Sequence, residues 1–585
     1  MRTSRLRALA CLTLGAAALL PTTLGAPAAA APSDDRPNVV VIVLDDVGFS
    51  DLGAFGSEIR TPAIDALAAD GLRYNRFDTK AVCSPTRAAL LTGRNPQTVR
   101  MADLPATVVN PSDMTRDRGE LPRNAQTIAQ VLQRAGYATH GLGKWHLAPE
   151  SEDGSPGRNA SWPLQRGFDD FYGFSSGWTD QYHPKLIDGN RAVPSPETPG
   201  YHFSVDITDR AIAAMTPKAG AARKPAFLYL AYGAGHAPIQ VPGRYSAAYG
   251  GVYDKGWDAL RDERLVREKR MGIIPANTAL PARNPGDRAW ADLSPTERKV
   301  FARFMQVYAG FLTHTDEQIG RLVAHLKATG QYDNTVFILL SDNGAASEAG
   351  QMGSFEQLYR PNKLTIDQML LRIDDIGTDK TESEYQRPWA MAGVTPLRRY
   401  KIWPYLGGVR TPLIITWPKH IRDRGAIRHQ YVDTVDLAPT IADLARTHFP
   451  TTIGGTGEIP VAGKSIRTTL LSATAPSARQ VQYFELRGNR AITAGKWRAV
   501  AVHRQMTDFA KDRWELYDVE ADFSETTDLA ARYPKKLAEL KTLWWREARK
   551  FSTPALAEAP EKFRLRERFD DSANRTLPAE KGAPE

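Results

Sequence analysis

Residues 38–46 read Asn-Val-Val-Val-Ile-Val-Leu-Asp-Asp, and this stretch decides the fold class. A run from Val39 to Leu44 that is entirely apolar and mostly β-branched has no polar face to offer water. It suits a central parallel strand buried on both sides. The run stops abruptly at the paired acids Asp45 and Asp46. The same grammar recurs along the chain. Helix signals cover 61–71, with Pro62 in the first turn and Gly71 as the stop, and 124–136, ahead of an expected strand at 137–141. KPAFLYLAY (224–232) reads as a second buried strand, and a helix over 295–329 precedes DNTVFILLSDNG (333–344), whose strand ends in Asp342 and Asn343. VRTPLIITW (409–417) is apolar again, and 436–446 opens as a helix. Helices alternating with apolar strands imply an α/β fold with a large, mostly parallel sheet flanked by helices. Polar residues that follow such strands meet at the carboxyl edge, so Asp45, Cys83, His236 and Asp342 are expected in one pocket.

A chain of 585 residues implies one large catalytic unit with a smaller partner. The expected divisions are a leader at 1–31, a catalytic domain at 36–460, a C-terminal α+β subdomain of antiparallel sheet and helix at 461–566, and a weakly ordered tail at 567–585. Arg2, Arg5 and Arg7 precede a short apolar run that ends in small residues around Ala28 to Ala31, the pattern of a cleaved export signal. The protein is therefore expected in the periplasm or outside the cell, with no stable membrane insertion. Losing the leader removes Cys11 and leaves Cys83 alone, so no internal disulfide is available. A lone cysteine in an oxidising compartment is buried, is paired with another chain, or is no longer a cysteine in the working protein. The formal charge of +9 falls to +6 without the three leader arginines, a mild excess that does not indicate a nucleic-acid partner. RDERLVREKR (261–270) mixes both signs and reads as a solvated helix face. The aperiodic stretch 345–398 is expected to carry short helices and fold over the site mouth or a partner surface. Trp178, Tyr182, Tyr359 and Trp389 are candidates either for that mouth or for the core.

Cys83 to Arg94 reads CSPTRAALLTGR. Pro85 lies near a helix start and Arg87 four residues beyond Cys83, so both side chains can face one site from the first turn, where the helix amino end favours an anion. This stretch resembles the signature of the formylglycine-dependent type I sulfatases of the alkaline-phosphatase superfamily. The resemblance implies an alkaline-phosphatase-like fold and conversion of Cys83 to 3-oxoalanine (formylglycine) by a maturation enzyme. Asp45 with Asp46, and Asp342 with Asn343, are similar to the family's metal-ligand pairs, and together with residue 83 they imply one bound Ca2+. Gly143-Lys144-Trp145-His146 and His236 in GAGHAPIQVP match its sulfate-binding elements, and Lys401 stands where the family has a lysine before Gly-Gly-x-Arg-x-Pro. The register at Lys401 is shared with Arg398 and Arg399. Leu406 departs from the pattern, because the family commonly carries glutamate before the paired glycines.

The implied reaction is hydrolysis of a small-molecule sulfate ester to an alcohol or phenol and sulfate, most like bacterial arylsulfatases. The hydrated aldehyde at position 83 attacks sulfur, Asp342 takes up its proton, and Arg87, Lys144 and Lys401 spread positive charge around the transferring group. His236, with Lys401, serves the departing oxygen, and His146 acts as base in sulfate release. The alternative is a phosphodiester or phosphonate monoester hydrolase on the same scaffold. A degenerate binding protein would have lost a ligand position or Cys83, and none is lost.

Overall fold

The computed structural model describes residues 35–105, 119–149, 152, 159–217, 223–356, 362–504 and 507–551; the leader, the tail at 567–585 and Tyr359 lie outside them. A ten-stranded sheet runs in the order Ile427–Arg428, Leu72–Tyr74, Leu413–Thr416, Thr335–Ser341, Asn38–Leu44, Ala226–Ala231, Ala138–Lys144, Asp170–Phe174, Leu186–Asp188 and Arg191–Val193. The five strands from Thr335–Ser341 to Asp170–Phe174 are parallel to one another. Leu413–Thr416 pairs antiparallel with both of its neighbours, and the strands at Leu186–Asp188 and Arg191–Val193 are antiparallel at the other edge, so the sheet is mixed on both sides of its parallel centre.

Asn38–Leu44 lies between two parallel partners, with Val41 opposite Tyr229 on one side and Ile338 on the other. Its side chains alternate between two cores. Val40, Ile42 and Leu44 enter one, and Val39, Val41 and Val43 enter the other. Each such side chain fully removed from water stabilises the fold by about 1.5–3 kcal/mol, and only a strand covered on both faces collects this from every residue.

Pro295–Ala328 is a single helix of 34 residues. It begins at a capping box in which Glu297 N–H donates to Ser294 Oγ at 3.2 Å and Ser294 N–H donates to the Glu297 carboxylate at 2.7 Å. The helix expected over 124–136 forms only at Ile128–Arg134, because Thr127 caps it and Gln130 completes a second capping box. The following strand is longer than expected, Ala138–Lys144, and its last residue reaches the functional edge.

RDERLVREKR lies in the helix Gly256–Met271, but it is not the solvated face expected. Arg261, Arg264 and Glu268 are buried. The Arg264 guanidinium bridges Asp51 at 2.7 Å and Glu58 at 2.9 Å, which is what lets its charge leave water. The 345–398 stretch contains the short helices Ile366–Leu371 and Arg387–Gly393 and an antiparallel bridge between Ser354 and Glu384. Trp389 is core, packed edge-on against Trp257 and Tyr253.

Val481–Leu486, Asn489–Ala494, Trp497–Ala501 and Trp514–Asp518 form a separate antiparallel sheet in sequence order. The helix Pro534–Lys550 covers it with Leu540, Trp544 and Ala548. Among the described residues, no helix is long and apolar enough to cross a membrane.

Candidate active site

Four adjacent parallel strands deliver their carboxyl ends to one place. Asp45 and Asp46 follow Asn38–Leu44, Asp342 and Asn343 follow Thr335–Ser341, Lys144 closes Ala138–Lys144, and His236 sits in the turn after Ala226–Ala231. The turns are stitched together by Asp342 N–H to Leu44 O at 3.1 Å and Asp45 N–H to Ala234 O at 2.9 Å. Cys83 opens the helix Cys83–Thr92, which starts at this edge, and Lys401 enters from a loop. Asp46, Ala81, His146, Arg399 and Ile402 all have positive φ, between 53° and 77°. Left-handed backbone at non-glycine residues costs about 1–2 kcal/mol each, and here it gathers around one pocket.

The electrostatics resolve into three buried pairs. Arg87 donates to Asp342 Oδ2 from Nε at 2.9 Å and from a terminal nitrogen at 2.7 Å, while its other arm bonds the Lys144 carbonyl at 3.0 Å. Lys144 Nζ donates to Asp45 Oδ2 at 2.6 Å. Lys401 Nζ donates to Asp46 Oδ2 at 2.9 Å and also contacts Glu348 Oε1 at 2.8 Å. Of the three basic residues near 400, only Lys401 reaches the pocket: Arg398 donates to Tyr517, and Arg399 lies over the Trp403 ring.

Burial pushes the Asp45 carboxyl up to about 8, with Asp342 adding to it and Lys144 and Arg87 opposing. Burial also raises Asp46, but Lys401, His236, Lys144 and the Asn343 amide outweigh it and take it down to about 2. His236 Nδ1 is 2.6 Å from the Ala237 carbonyl, and its Nε2 is 3.6 Å from Asp46 Oδ2. Burial takes this ring down to about 4 against the pull of Asp46.

Oxygen atoms of Asp45, Asp46 and Asp342 lie within 4.8 Å of one another. Asp45 Oδ1 and Asn343 Oδ1 are buried without a hydrogen-bond partner. Two orphaned hard oxygens beside three clustered carboxylates fit a divalent cation, because an ion would supply the interaction that burial has denied them.

Cys83 Sγ lies 3.1 Å from His146 Nδ1. Ser84 Oγ, which sequence reasoning did not single out, donates to the His146 carbonyl at 2.7 Å and so locks the neighbouring strained turn. Burial, then Lys144 and Arg87, hold His146 well below the usual histidine range, so its ring is neutral. Gly177, next to the mouth candidate Trp178, packs on this ring: a Cβ there would sit 2.9 Å from His146 Cε1. Every residue expected at the site thus lies in one buried cluster. Glu348 was missed because the aperiodic segment that carries it has no pattern pointing toward Lys401.

The geometry can be set beside known proteins. The sequence profile described as Sulfatase matches residues 37–447, and that of the N-sulphoglucosamine sulphohydrolase C-terminal region matches 400–548. The chain belongs to the sulfatase family. It is a sulfuric ester hydrolase with the fold expected from its sequence. This sulfatase is 32% identical to an uncharacterised sulfatase of Schizosaccharomyces pombe over 87% of the chain and 93% of that protein. It is 30% identical to the arylsulfatase of Klebsiella aerogenes, covering 78% of the chain and 96% of the relative. A crystal structure of Ps i-CgsB in complex with k-i-k-neocarrahexaose superposes with a TM-score of 0.60 at 22% identity, covering 90% of this chain and 100% of the other. At that identity the likeness speaks to fold alone. Members of the family generally use formylglycine and a metal ion.

Proposed function

We propose that this sulfatase is an exported arylsulfatase-type enzyme that cleaves a sulfate ester with residue 83 as formylglycine and one Ca2+ held by Asp45, Asp46, Asp342 and Asn343. The observation that carries the reading is Cys83, buried with its Sγ 3.1 Å from His146, at the amino end of a helix among three acid–cation pairs. Burial raises the pKa of this thiol, with Asp342 and Asp45 adding to the effect and Lys144 and Lys401 opposing it. Unmodified, it is a poor nucleophile. As a formylglycine hydrate, residue 83 would offer one hydroxyl to sulfur as the ester S–O bond breaks and the alcohol or phenol departs, and a second whose deprotonation would release sulfate and restore the aldehyde. Ca2+, when bound, neutralises charge on the sulfate and favours the ionised form of the attacking hydroxyl.

The chain's own residues do the rest. Arg87, Lys144 and Lys401 surround the transferring group with fixed positive charge. Asp342 receives the hydroxyl proton, and Arg87 orients its carboxylate through two donors to one oxygen. Neutral His146 beside position 83 is suited to take a proton during sulfate release. His236 and Lys401 both face Asp46 and are assigned to the departing oxygen. The division of the chain at about residue 460 and a transient maturation partner belong to the same reading. A phosphodiester or phosphonate monoester activity is not favoured, because the two relatives named above, which are at least 30% identical over most of the chain, are sulfatases.

The deciding experiment is tandem mass spectrometry of the peptide across position 83 with aldehyde labelling, alongside rates on matched aryl sulfate and phosphate esters. An aldehyde and faster sulfate cleavage are expected. Only thiol at position 83 in an active preparation would sink the formylglycine mechanism, and faster phosphate cleavage would sink the substrate class.

A further inference from the structure

We propose that Glu348 is a positioning residue that holds the Lys401 ammonium at the leaving-group side of the site. The inference rests on the assignment of Lys401 made above. Lys401 lies in neither a helix nor a strand, and its neighbours Arg399 and Ile402 have φ of 61° and 77°. Its stem has four rotatable carbons, so the position of its charge depends on what the ammonium touches. Arg87 projects from a helix and Lys144 from the end of a strand, so regular backbone sets their directions. Lys401 is tied instead to one short loop, through Lys401 N–H to Ala345 O at 3.1 Å and Nζ to Glu348 Oε1 at 2.8 Å.

Glu348 is built for this task. Its Oε2 accepts the Ser347 N–H at 2.9 Å, which fixes the carboxylate and leaves Oε1 for the lysine. Asp46, on the other side of the ammonium, has a side chain only 1% exposed, whereas that of Glu348 is 12% exposed. The two acids therefore hold Lys401 from the inner and outer sides of the pocket. Glu384 adds a second buried carboxyl from the other limb of the same segment, bridged through its backbone to Ser354, with Oε1 unpartnered. Burial, and then the charge of Glu348, push Glu384 well above the usual carboxylate range. Without Glu348 the ammonium of Lys401 loses its outer carboxylate, and an ester with a poor leaving group loses the placed cation that its departing oxygen needs.

The test is leaving-group dependence across phenyl sulfates bearing substituents from nitro to methoxy, for the mature enzyme and for Glu348→Gln, Glu348→Asp, Lys401→Ala and the double variant Glu348→Gln/Lys401→Ala. Glu348→Gln should lower kcat/KM about tenfold on the methoxyphenyl ester and under about threefold on the nitrophenyl ester. Glu348→Asp should recover part of the loss, and the double variant should be no slower than Lys401→Ala. Equal losses across the series, or losses that multiply in the double variant, would overturn the inference. A steeper dependence in Lys401→Ala with none in Glu348→Gln would overturn Glu348 alone. An unchanged dependence in Lys401→Ala would overturn the leaving-group assignment of Lys401, and this inference with it. If Glu348→Gln does not fold, Glu348→Asp decides the matter by a smaller shift in the same direction or by none.

Discussion

Two atoms decide how residue 83 is presented: Nδ1 of His146 on one side, and the Ser84 hydroxyl that holds the His146 carbonyl. His146 has φ 53°, so its ring direction is set by a strained turn and by the lack of a side chain at Gly177. Gly177→Ala should therefore displace the ring while leaving the distant core untouched. We expect kcat to fall by about ten- to a hundredfold, since small misplacements of catalytic groups have effects of that order. Thermal stability should change by less than about 1 kcal/mol. Steady-state kinetics with parallel unfolding curves check this, and an unchanged kcat would remove Gly177 from the site. Arg87, Asp45, Asp46 and Asp342 were legible from the sequence because short motifs held them in fixed relation to strand and helix ends. Glu348 had no such neighbour, and nothing local distinguishes it from a surface glutamate.

At the level of elements, the helix Gly256–Met271 shows how pattern reading goes astray. Mixed charges along a helix ordinarily mean water, yet Arg264 from this helix donates to Asp51 and Ser50, which follow the Asp45–Asp46 pair, and to the Ala392 carbonyl of Arg387–Gly393. Arg264→Met keeps the length but leaves Asp51 buried without its cation, while Glu58 retains Arg267 at 3.1 Å. Breaking a buried pair from one side costs about 3–5 kcal/mol, and denaturant unfolding should show a loss of that size. A loss below about 1 kcal/mol would mean that the neighbouring polar groups suffice. The strands were read well because burial on both faces leaves a continuous apolar run. Helix ends were read less well: Thr127, not Asn124, starts its helix, because Thr127 and Gln130 complete the capping box.

Across the whole molecule, the segment that follows the C-terminal sheet brings a carboxylate back to the turn at Leu406. Glu525 accepts the Leu406 N–H at 2.8 Å and pairs with Arg498 at 3.0 Å, so the position where the family commonly has glutamate is served here from a distant part of the chain. Metal removal should also be felt globally. With Ca2+ at a hundredfold excess over its Kd, the bound form should be about 3 kcal/mol more stable than the chelated form. Calorimetry with and without chelator measures this, and coincident melting curves would argue against a bound ion. Acid should destabilise the fold through His202 and His314, whose rings meet edge to face with their centroids 4.3 Å apart. Burial lowers His202 to about 4 and, with the charge of His202, lowers His314 to about 2. Both rings are neutral in the fold, whereas the unfolded chain takes up protons below about pH 6.5. Stability is therefore full above that pH and falls toward pH 4 by about 1.4 kcal/mol per unit for each ring. Denaturant midpoints at pH 7 and pH 5 should differ accordingly, and His202→Gln should flatten the difference. The sequence by itself determined the central strands, the order of the motifs and the residues that gather in the pocket, because these are written in contiguous residues whose burial or charge has a local signature. Only the tertiary structure decided which lysine among its basic neighbours enters the site, that Glu348 holds it and that Arg264 is interior, because each depends on a charge finding its partner across a long separation in the chain.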